Sequence, residues 1–494
     1  MVKGITPKQQ YKRKVPQARW YLHLQALWWR YLMAIGMLLH KLAPPRPPKP
    51  NFSRQIPSTI SGVEGSILLQ FYVPRDYQTQ KDLWQHKMRP ELVDEEANQD
   101  PADRSRSRRV STTLSTMSQT VRRRNNSGRR WGKFPVIINF HGGGFTLGTA
   151  TDDARWCGTV VDECHAVVIS VDYRKAPEHP FPTPVEDGVD AVVWVHNHAE
   201  ELGVDPSKIV LSGFSSGGNM CVTVALRLWD ELNGFARDAE TEPNARQRAE
   251  RALHGSATRR ESSSSSSTRV PDGAHVDILN PDEAPSVDPP GEGGGDRAVR
   301  PSDPHIKAAA ATVQHRELPD VKIRALVPWY PSLDYTRTRD ERRATNVRKD
   351  QELPAVFTDL FDESYLHPPD SISLDSPYIS PGVAPTCLLK NGLPHDIIMY
   401  TCEFDMLLDE GQDFRKRLTS PEIGKNVIYK MVEGVPHGWD KAPNPLKPTP
   451  GVREHYLSCC KELRQIFGAQ PGVKEHPTLQ GPSAAPRGSV QVVR

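Results

Sequence analysis

Six short apolar runs recur along the chain, and stretches of helical length lie between several of them. Continuous apolar runs separated by helices are typical of parallel strands that are buried on both faces. This alternation predicts an α/β fold with a mostly parallel central sheet flanked by helices. Ligands of such sheets bind beyond the carboxyl ends of the strands, so functional residues are expected there. The runs are 134–140, 165–173, 208–214, 323–331, 396–405 and 427–435.

Two polar segments, 76–132 and 236–304, interrupt this pattern and contain few apolar residues. Such segments cannot bury enough surface to order themselves, so both are predicted to be disordered insertions. The chain as a whole fits this interpretation, because only 37% of its 494 residues are hydrophobic and 45 are proline. The remaining parts are a basic segment at 1–50, a folded α/β domain with its cap at 51–75, 133–235 and 305–470, and a flexible tail at 471–494. Within 65–74 the pattern predicts two further strands.

Both insertions contain two basic residues followed by any residue and then a serine, at Ser111 and Ser262. Such strings suit a basophilic kinase, although Arg/Ser-rich segments also produce them by chance.

Residues 104–130 carry nine arginines without one acid, but no aromatic residue interleaves with them, so no nucleic-acid partner is expected. The seven cysteines show no metal-type spacing, which indicates a reducing compartment without a disulfide framework.

Residues 20–42 have the apolar spacing of an amphipathic helix. The first 50 residues contain ten Lys or Arg, and no Asp or Glu occurs among the first 63. The long basic leader and the missing cleavage site argue against a secretory signal. Arg30 disfavours a spanning helix, whereas basic flanks and tryptophans suit a membrane interface. The alternative is a helix that packs over the protein's own pocket. The apolar stripe comprises Trp20, Leu24, Leu27, Tyr31, Ile35, Leu38 and Leu42.

These observations predict an intracellular protein at the cytoplasmic face of the endoplasmic reticulum or of a lipid droplet. A soluble cytoplasmic protein is the alternative.

One glycine-rich turn joins a predicted strand to a predicted helix. Residues 209–219 read IVLSGFSSGGN, and 221–232 have helical length and spacing. The turn contains G-x-S-x-G centred on Ser215, the pattern of a nucleophile elbow, in which the serine occupies a strained turn with its oxygen exposed. The flanking glycines are needed because a Cβ would collide with the neighbouring strand and helix. Ser215 is the candidate nucleophile, and the backbone N–H of Ser216 is a candidate oxyanion donor.

Three consecutive glycines follow the predicted strand 134–140, in the string HGGGF. Consecutive glycines allow successive N–H groups to point at one spot, as a tetrahedral oxyanion requires. The N–H groups of Gly143 and Gly144 are the expected donors, and Gly142 is expected to shape the turn. Together with Ser216, these glycines are predicted to form an oxyanion hole.

An acid and a histidine each follow a strand of their own later in the chain. Asp405 ends the run DIIMYTCEFD, and His437 comes directly after VIYKMVEGVP. A serine nucleophile needs a base to accept its proton, and that histidine needs a carboxylate to fix its tautomer. Asp405 and His437 are therefore predicted to complete the site, with Glu403 and Asp409 as rivals for the acid.

Together these motifs resemble those of the hormone-sensitive-lipase-type α/β-hydrolases. The resemblance covers 51–75, 133–235 and 319–466, and it implies an α/β-hydrolase fold. It also implies a triad of Ser215, Asp405 and His437, oxyanion donors at Gly143, Gly144 and Ser216, and a cap built from N-terminal helices and residues 334–375. The strings that carry it are HGGGF, YRKAPEHPFPTPVEDG (173–188), GFSSGGN, SPYISP, EFDMLLDEG (403–411) and HGW.

Four positions depart from the family's pattern. Phe214 replaces an acid, Ser216 an alanine, Met406 a proline and Lys175 an apolar residue. None of these changes removes a catalytic group, but Phe214 and Met406 are expected to alter the pocket wall or the local packing, which puts the family's usual substrates in doubt. The charges of Glu178 and His179 are expected to hold the structure beneath the site, without a chemical role.

The residues and the resemblance predict a serine hydrolase that cleaves carboxylic esters through an acyl-enzyme. The expected substrate is a small-molecule or lipid ester, and no metal or organic cofactor is expected. One alternative is acyl transfer on the same triad. The other is a non-catalytic ligand-binding protein of the same fold, against which the intact His437 argues.

Overall fold

Eight strands form one sheet at the centre of the computed structural model, which describes residues 17–88, 132–233, 318–441, 446 and 449–468. The sheet order is β1-β2-β4-β3-β5-β6-β7-β8. β1 and β2 pair antiparallel with each other, as do β2 and β4, and the other neighbours are parallel. The strands are β1 (Phe52–Pro57), β2 (Ser66–Tyr72), β3 (Phe134–Phe140), β4 (Val167–Asp172), β5 (Val204–Phe214), β6 (Ile323–Trp329), β7 (Asp396–Phe404) and β8 (Asn426–Pro436).

Helices cover both faces of this sheet. α3 and α11 pack together on one face, and α4 and α9 pack against α6 on the other. The alternation of side chains along β3 supplies both layers, since Ile137 joins the core with Trp156 of α3 while Phe140 reaches Gly188 of α4. The helices are α1 (Arg19–Leu42), α2 (Tyr77–Met88), α3 (Ala154–Cys164), α4 (Thr183–Asn197), α5 (Ala199–Leu202), α6 (Ser216–Asn233), α7 (Arg339–Thr345), α8 (Ala355–Tyr365), α9 (Thr386–Gly392), α10 (Leu408–Leu418) and α11 (Val452–Ile466).

The six predicted apolar runs are strands β3 to β8, with their ends shifted by a few residues. The prediction of two strands within 65–74 is wrong, because that stretch holds only β2 and its partner β1 lies upstream at Phe52–Pro57. Of the six residues of β1, only Ile56 is buried. An edge strand of this kind has no apolar run to reveal it.

The first predicted insertion, 76–132, begins later than expected, because residues Tyr77–Met88 form α2. One buried aromatic residue holds this polar helix in place. The ring of Tyr77 lies 5.6 Å from that of Phe134, and its hydroxyl donates to the carbonyl of Leu202 at 2.9 Å. The rest of that insertion, the insertion 236–304 with Ser262, Ser111 and the tail 471–494 lie outside the described residues.

α1 has nearly the predicted bounds, and one of its faces packs against the protein. Leu22, Ala26 and Met37 are buried, and Trp29 meets Phe357 of α8 edge to face at 4.6 Å. The seven residues of the predicted apolar stripe point away from this contact and are all exposed. Among the described residues, no helix combines the length and the apolar character needed to cross a membrane.

Candidate active site

Ser215 occupies the corner between β5, which ends at Phe214, and α6, which begins at Ser216. Its φ of 56° lies in the left-handed region, where a residue with a side chain is strained. The two flanking glycines make this corner sterically feasible. A Cβ on Gly213 would overlap the carbonyl of Gly217, and a Cβ on Gly217 would overlap the carbonyl of Phe140.

Ser215, His437 and Asp405 form a continuous chain of side-chain contacts. The Nε2 atom of His437 lies 2.8 Å from the Oγ of Ser215, and its Nδ1 atom lies 2.7 Å from the Oδ2 of Asp405. The Oδ1 atom of Asp405 accepts the N–H of Leu407 at 3.0 Å, which fixes the carboxylate. The three side chains therefore lie together at the carboxyl edge of the sheet, because they directly follow the ends of β5, β7 and β8.

The two rival acids lie elsewhere. Glu403 accepts the backbone N–H of Gly434 at 2.6 Å and so joins β7 to the end of β8. Asp409 belongs to the first turn of α10. Of the three acids, Asp405 is the one that contacts His437.

The glycine loop after β3 lies directly beside Ser215. A Cβ on Gly142 would be 3.5 Å from the Cβ of Ser215, and Gly143 and Gly144 have φ values of 119° and 60°. Gly144 and Ser216 line the same cavity as Ser215. The structure therefore brings together the predicted glycines and the predicted triad residues.

His141 supports this loop from below. Its ring stacks on Tyr173 at 4.3 Å, and its Nδ1 atom lies 2.8 Å from the carbonyl oxygen of Gly142. On the other side, its Nε2 atom lies 3.5 Å from Asp172, which also accepts a bond from Lys175 at 2.8 Å. Lys175, one of the departures from the family pattern, thus helps to hold the loop without touching Ser215.

The cavity at Ser215 measures about 30 Å³ and is lined on one side by residues of the predicted cap region 334–375. Phe361 of α8 covers the glycine loop, since a Cβ on Gly144 would overlap its ring. Arg339 enters from α7 and is neutralised by an ion pair with Asp362. Met406 forms part of the wall, as expected from its position after Asp405. Cap residues and Met406 therefore narrow the space beside Ser215.

The surroundings of His437 determine its protonation. Burial disfavours the imidazolium and lowers the pKa, but the charge and hydrogen bond of Asp405, joined by the charge of Asp440, outweigh burial. The net effect raises the pKa of His437 above its ordinary value of 6.5. A histidine in this setting is a strong acceptor for the proton of a neighbouring serine.

Sequence reasoning missed a group of residues beneath His437. The ring of Tyr330 lies 4.9 Å from that of His437, edge to face, and its hydroxyl donates to Asp440 at 2.5 Å. Lys441 joins Asp440, at 2.6 Å, to Asp153, at 3.0 Å. Two features of the sequence could have indicated these residues. Tyr330 lies at the end of the apolar run that forms β6, and Asp440 comes three residues after His437.

Comparisons with known proteins bear on the fold and the family of this chain. A family model described as alpha/beta hydrolase fold matches residues 137–267 and 305–441. Lipase 2 of Moraxella sp. is 38% identical over 120 residues, which are 24% of this chain and 28% of that protein. Hormone-sensitive lipase of Ictidomys tridecemlineatus is 26% identical over 417 residues, covering 67% of this chain and 53% of its own length.

Among solved structures, an esterase of Pyrobaculum calidifontis superposes with a TM-score of 0.51 at 21% identity, covering 90% of this chain and 93% of its own. At that identity the superposition shows the fold alone. The chain spans less than a third of Lipase 2 and about half of hormone-sensitive lipase. The family model, however, covers more than half of the chain, and so this protein belongs to the α/β-hydrolases of the hormone-sensitive-lipase type.

Proposed function

We propose that this protein is a carboxylic ester hydrolase that works through an acyl-enzyme on Ser215. The observation that carries the proposal is the contact chain from Ser215 through His437 to Asp405 beside the glycine loop. His437 accepts the serine proton while the oxygen attacks the ester carbonyl, and Asp405 holds the imidazole in the required tautomer. The relatives named as lipases support the same chemistry.

The tetrahedral intermediate places its oxyanion at the backbone N–H groups of Gly143, Gly144 and Ser216. Gly142 shapes the loop, because its α-carbon faces the β-carbon of Ser215. Protonated His437 then donates to the leaving alcohol, which gives the acyl-enzyme. Water takes the place of the alcohol, with His437 as its base, and the second collapse releases the acid.

The cavity favours a short acyl group. About 30 Å³ beside Ser215 and Met406 accepts an acetyl group but not an extended chain unless Phe361 moves. We therefore place the small acyl part at this cavity and leave the alcohol part towards the cap. We also propose that residues 20–42 contact a membrane at a cytoplasmic surface. Phosphorylation at Ser111 or Ser262 is a further proposal.

Hydrolysis of p-nitrophenyl esters from acetate to palmitate tests the proposal, with wild type compared to Ser215→Ala. The expected result is highest kcat/KM for the short esters and a loss of about 10⁴-fold or more in the variant. Ser216→Ala is the matched control, since its backbone N–H remains and activity should fall less than about threefold. A folded wild type without ester hydrolysis, and without fluorophosphonate labelling at Ser215, would overturn the proposal.

A further inference from the structure

The outward face of α1 carries an unusual concentration of exposed apolar side chains. Of the fifteen large apolar residues that are exposed among the described parts of the chain, ten belong to this one helix. Soluble monomers rarely expose contiguous apolar patches of this kind unless the patch has a partner. We call this set the outer face of α1: Trp20, Tyr21, Leu24, Leu27, Trp28, Tyr31, Ile35, Leu38, Leu39 and Leu42.

The outer face is one continuous strip. With about 100° per residue, the ten side chains fall within an arc of roughly 120° around the helix axis. With about 1.5 Å of rise per residue, the helix Arg19–Leu42 gives the strip a length of roughly 36 Å. Exposure extends to the middle of the strip, where Leu27 is 65% and Tyr31 62% exposed.

Polar anchors on the opposite face prevent α1 from turning its apolar strip inward. Arg30 donates to the carbonyl oxygens of Thr146 and Ala176 and pairs with Glu178 at 2.8 Å. Near the end of the helix, the carbonyl of His40 accepts a bond from Arg155 at 2.8 Å. The orientation of the helix is therefore fixed by contacts within the protein, and the described parts of the chain leave the outer face exposed.

The charge around the helix indicates which partner fits. The first 50 residues hold ten Lys or Arg, and the first acidic residue of the chain is Glu64. Apolar and aromatic residues on one face, within a basic and acid-free segment, are the features of a helix that lies in the interface of an anionic membrane. Trp20, Trp28 and Tyr31 add rings of the type that settle at headgroup depth.

We propose that the outer face of α1 binds the surface of a membrane that contains anionic phospholipid, with the helix axis in the plane of the surface. This orientation sets the active site against the lipid. Trp29, on the inner side of α1, packs against Phe357 of α8, and Phe361 of the same helix covers Gly144 beside Ser215. The cap helix α8 is thus the layer between the lipid surface and the cavity.

The consequence of this orientation for catalysis rests on the proposed ester hydrolysis at Ser215. A lipophilic ester dissolved in the membrane reaches Ser215 from the side of α1 and α8, without first entering water. The membrane then acts as the source of substrate, and the protein remains attached between turnovers.

Flotation of the full chain with lipid vesicles tests the binding directly, without reference to activity. The vesicles are phosphatidylcholine alone or with about 30 mol % phosphatidylserine. Wild type is expected to float with the mixed vesicles, and Leu27→Glu/Leu38→Glu is expected to bind them about tenfold or more weakly. Val63→Glu/Val347→Glu is the matched control, since it adds the same charges at exposed valines that are not part of α1 and should bind like wild type.

Other occupants of the strip give different results. If a second copy of the chain covers it, the wild type is a dimer by light scattering, Leu27→Glu/Leu38→Glu is a monomer, and neither floats with vesicles. If another segment of the same chain covers it, the wild type is a monomer that does not float. Either outcome overturns the proposal. Equal binding to both vesicle types, unchanged between about 0.05 and 0.5 M salt, overturns the anionic requirement.

Hydrolysis assays distinguish the membrane-binding proposal from the proposal that the protein is an ester hydrolase. Hydrolysis of water-soluble p-nitrophenyl acetate should be equal in wild type and Leu27→Glu/Leu38→Glu, whereas hydrolysis of a long-alcohol acetate carried in the mixed vesicles should fall about tenfold in the variant. Loss of both activities in the variant would mean that the substitutions damaged the fold and that the orientation argument fails. Flotation without hydrolysis of any ester would support the docking and reject the proposed function.

Discussion

The ammonium group of Lys441 lies 3.7 Å from the centre of the Phe214 ring, directly beneath the corner that holds Ser215. The same group pairs with Asp153 at 3.0 Å and with Asp440 at 2.6 Å, and both carboxylates are buried. The family's pattern has an acid where this chain has Phe214. In this protein Lys441, which contacts Asp153, Asp440 and the Phe214 ring, occupies the space below Ser215.

Removal of this lysine should destabilise the fold. Lys441→Met leaves the carboxylates of Asp153 and Asp440 buried without their cation, and an unpaired buried charge costs about 3–5 kcal/mol. Burial already raises the pKa of Asp153, which Lys441 only partly offsets. Urea unfolding measures the change in the free energy of unfolding. Lys461→Met, at an exposed position of α11, should stay within about 0.5 kcal/mol of wild type. A loss below about 1 kcal/mol in Lys441→Met would show that the carboxylates are satisfied without the lysine.

Asp405→Asn should lower kcat while leaving the fold intact. The amide keeps the shape of the carboxylate but favours the wrong tautomer of His437 and withdraws the charge that stabilises its imidazolium, so a decrease of about 10⁴-fold is expected. Steady-state kinetics on p-nitrophenyl acetate gives the value. In parallel, Glu403→Gln tests the rival acid, and it should change kcat by less than about threefold because Glu403 bonds to Gly434 instead. Comparable losses in both variants would contradict the assignment of the acid.

The pH profile of kcat/KM should show an acid limb with its midpoint above 6.5. His437 must be neutral to accept the proton of Ser215, and its pKa in the fold is raised above that value despite burial, by Asp405 and Asp440. Activity is therefore absent at low pH, where the imidazolium prevails, and rises as pH passes the raised pKa. Rates between about pH 5 and 9 define the limb.

The same profile for Asp405→Asn should have its acid limb at lower pH, because the main source of the upward shift has been removed while burial continues to disfavour the imidazolium. An acid limb below 6.5 in wild type, or an unchanged limb in the variant, would show that another group controls the rate.

The sequence identifies the parts of the fold and site that have a local signal. Buried parallel strands such as β3 are continuous apolar runs, so their positions could be predicted almost to the residue. Ser215, Asp405 and His437 each follow such a run, and the topology of a parallel sheet brings strand ends together. Strand β1 escaped prediction because Ile56 is its one buried residue.

Contacts between distant segments have no such signal. The pairing of Lys441 with Phe214 depends on two segments that meet only in the folded chain, and neither segment carries a pattern that indicates the other. The orientation of α1 illustrates the same limit. Its apolar stripe could be predicted from the sequence. The stripe faces outward because Arg30 binds carbonyl oxygens and Glu178 on the inner side, and the helix sequence alone does not show these partners.

Phe361→Ala should change the acyl-chain preference of the enzyme. The ring covers Gly144 and lines the cavity of about 30 Å³, so its removal opens space beside Ser215 in the direction of α8. Each methylene accepted in an apolar pocket is worth about 1–3 kcal/mol of transition-state binding. The ratio of kcat/KM for p-nitrophenyl octanoate to that for the acetate should therefore rise by about tenfold or more.

Val356→Ala, at an exposed position on the same helix, is the matched control for this change, and its ratio should remain that of wild type. If the ratio also stays constant in Phe361→Ala while the acetate is still hydrolysed, the acyl chain does not pass Phe361. The chain would then have to leave the cavity on the other side, along Met406 and Leu407, and these two side chains would set the preference.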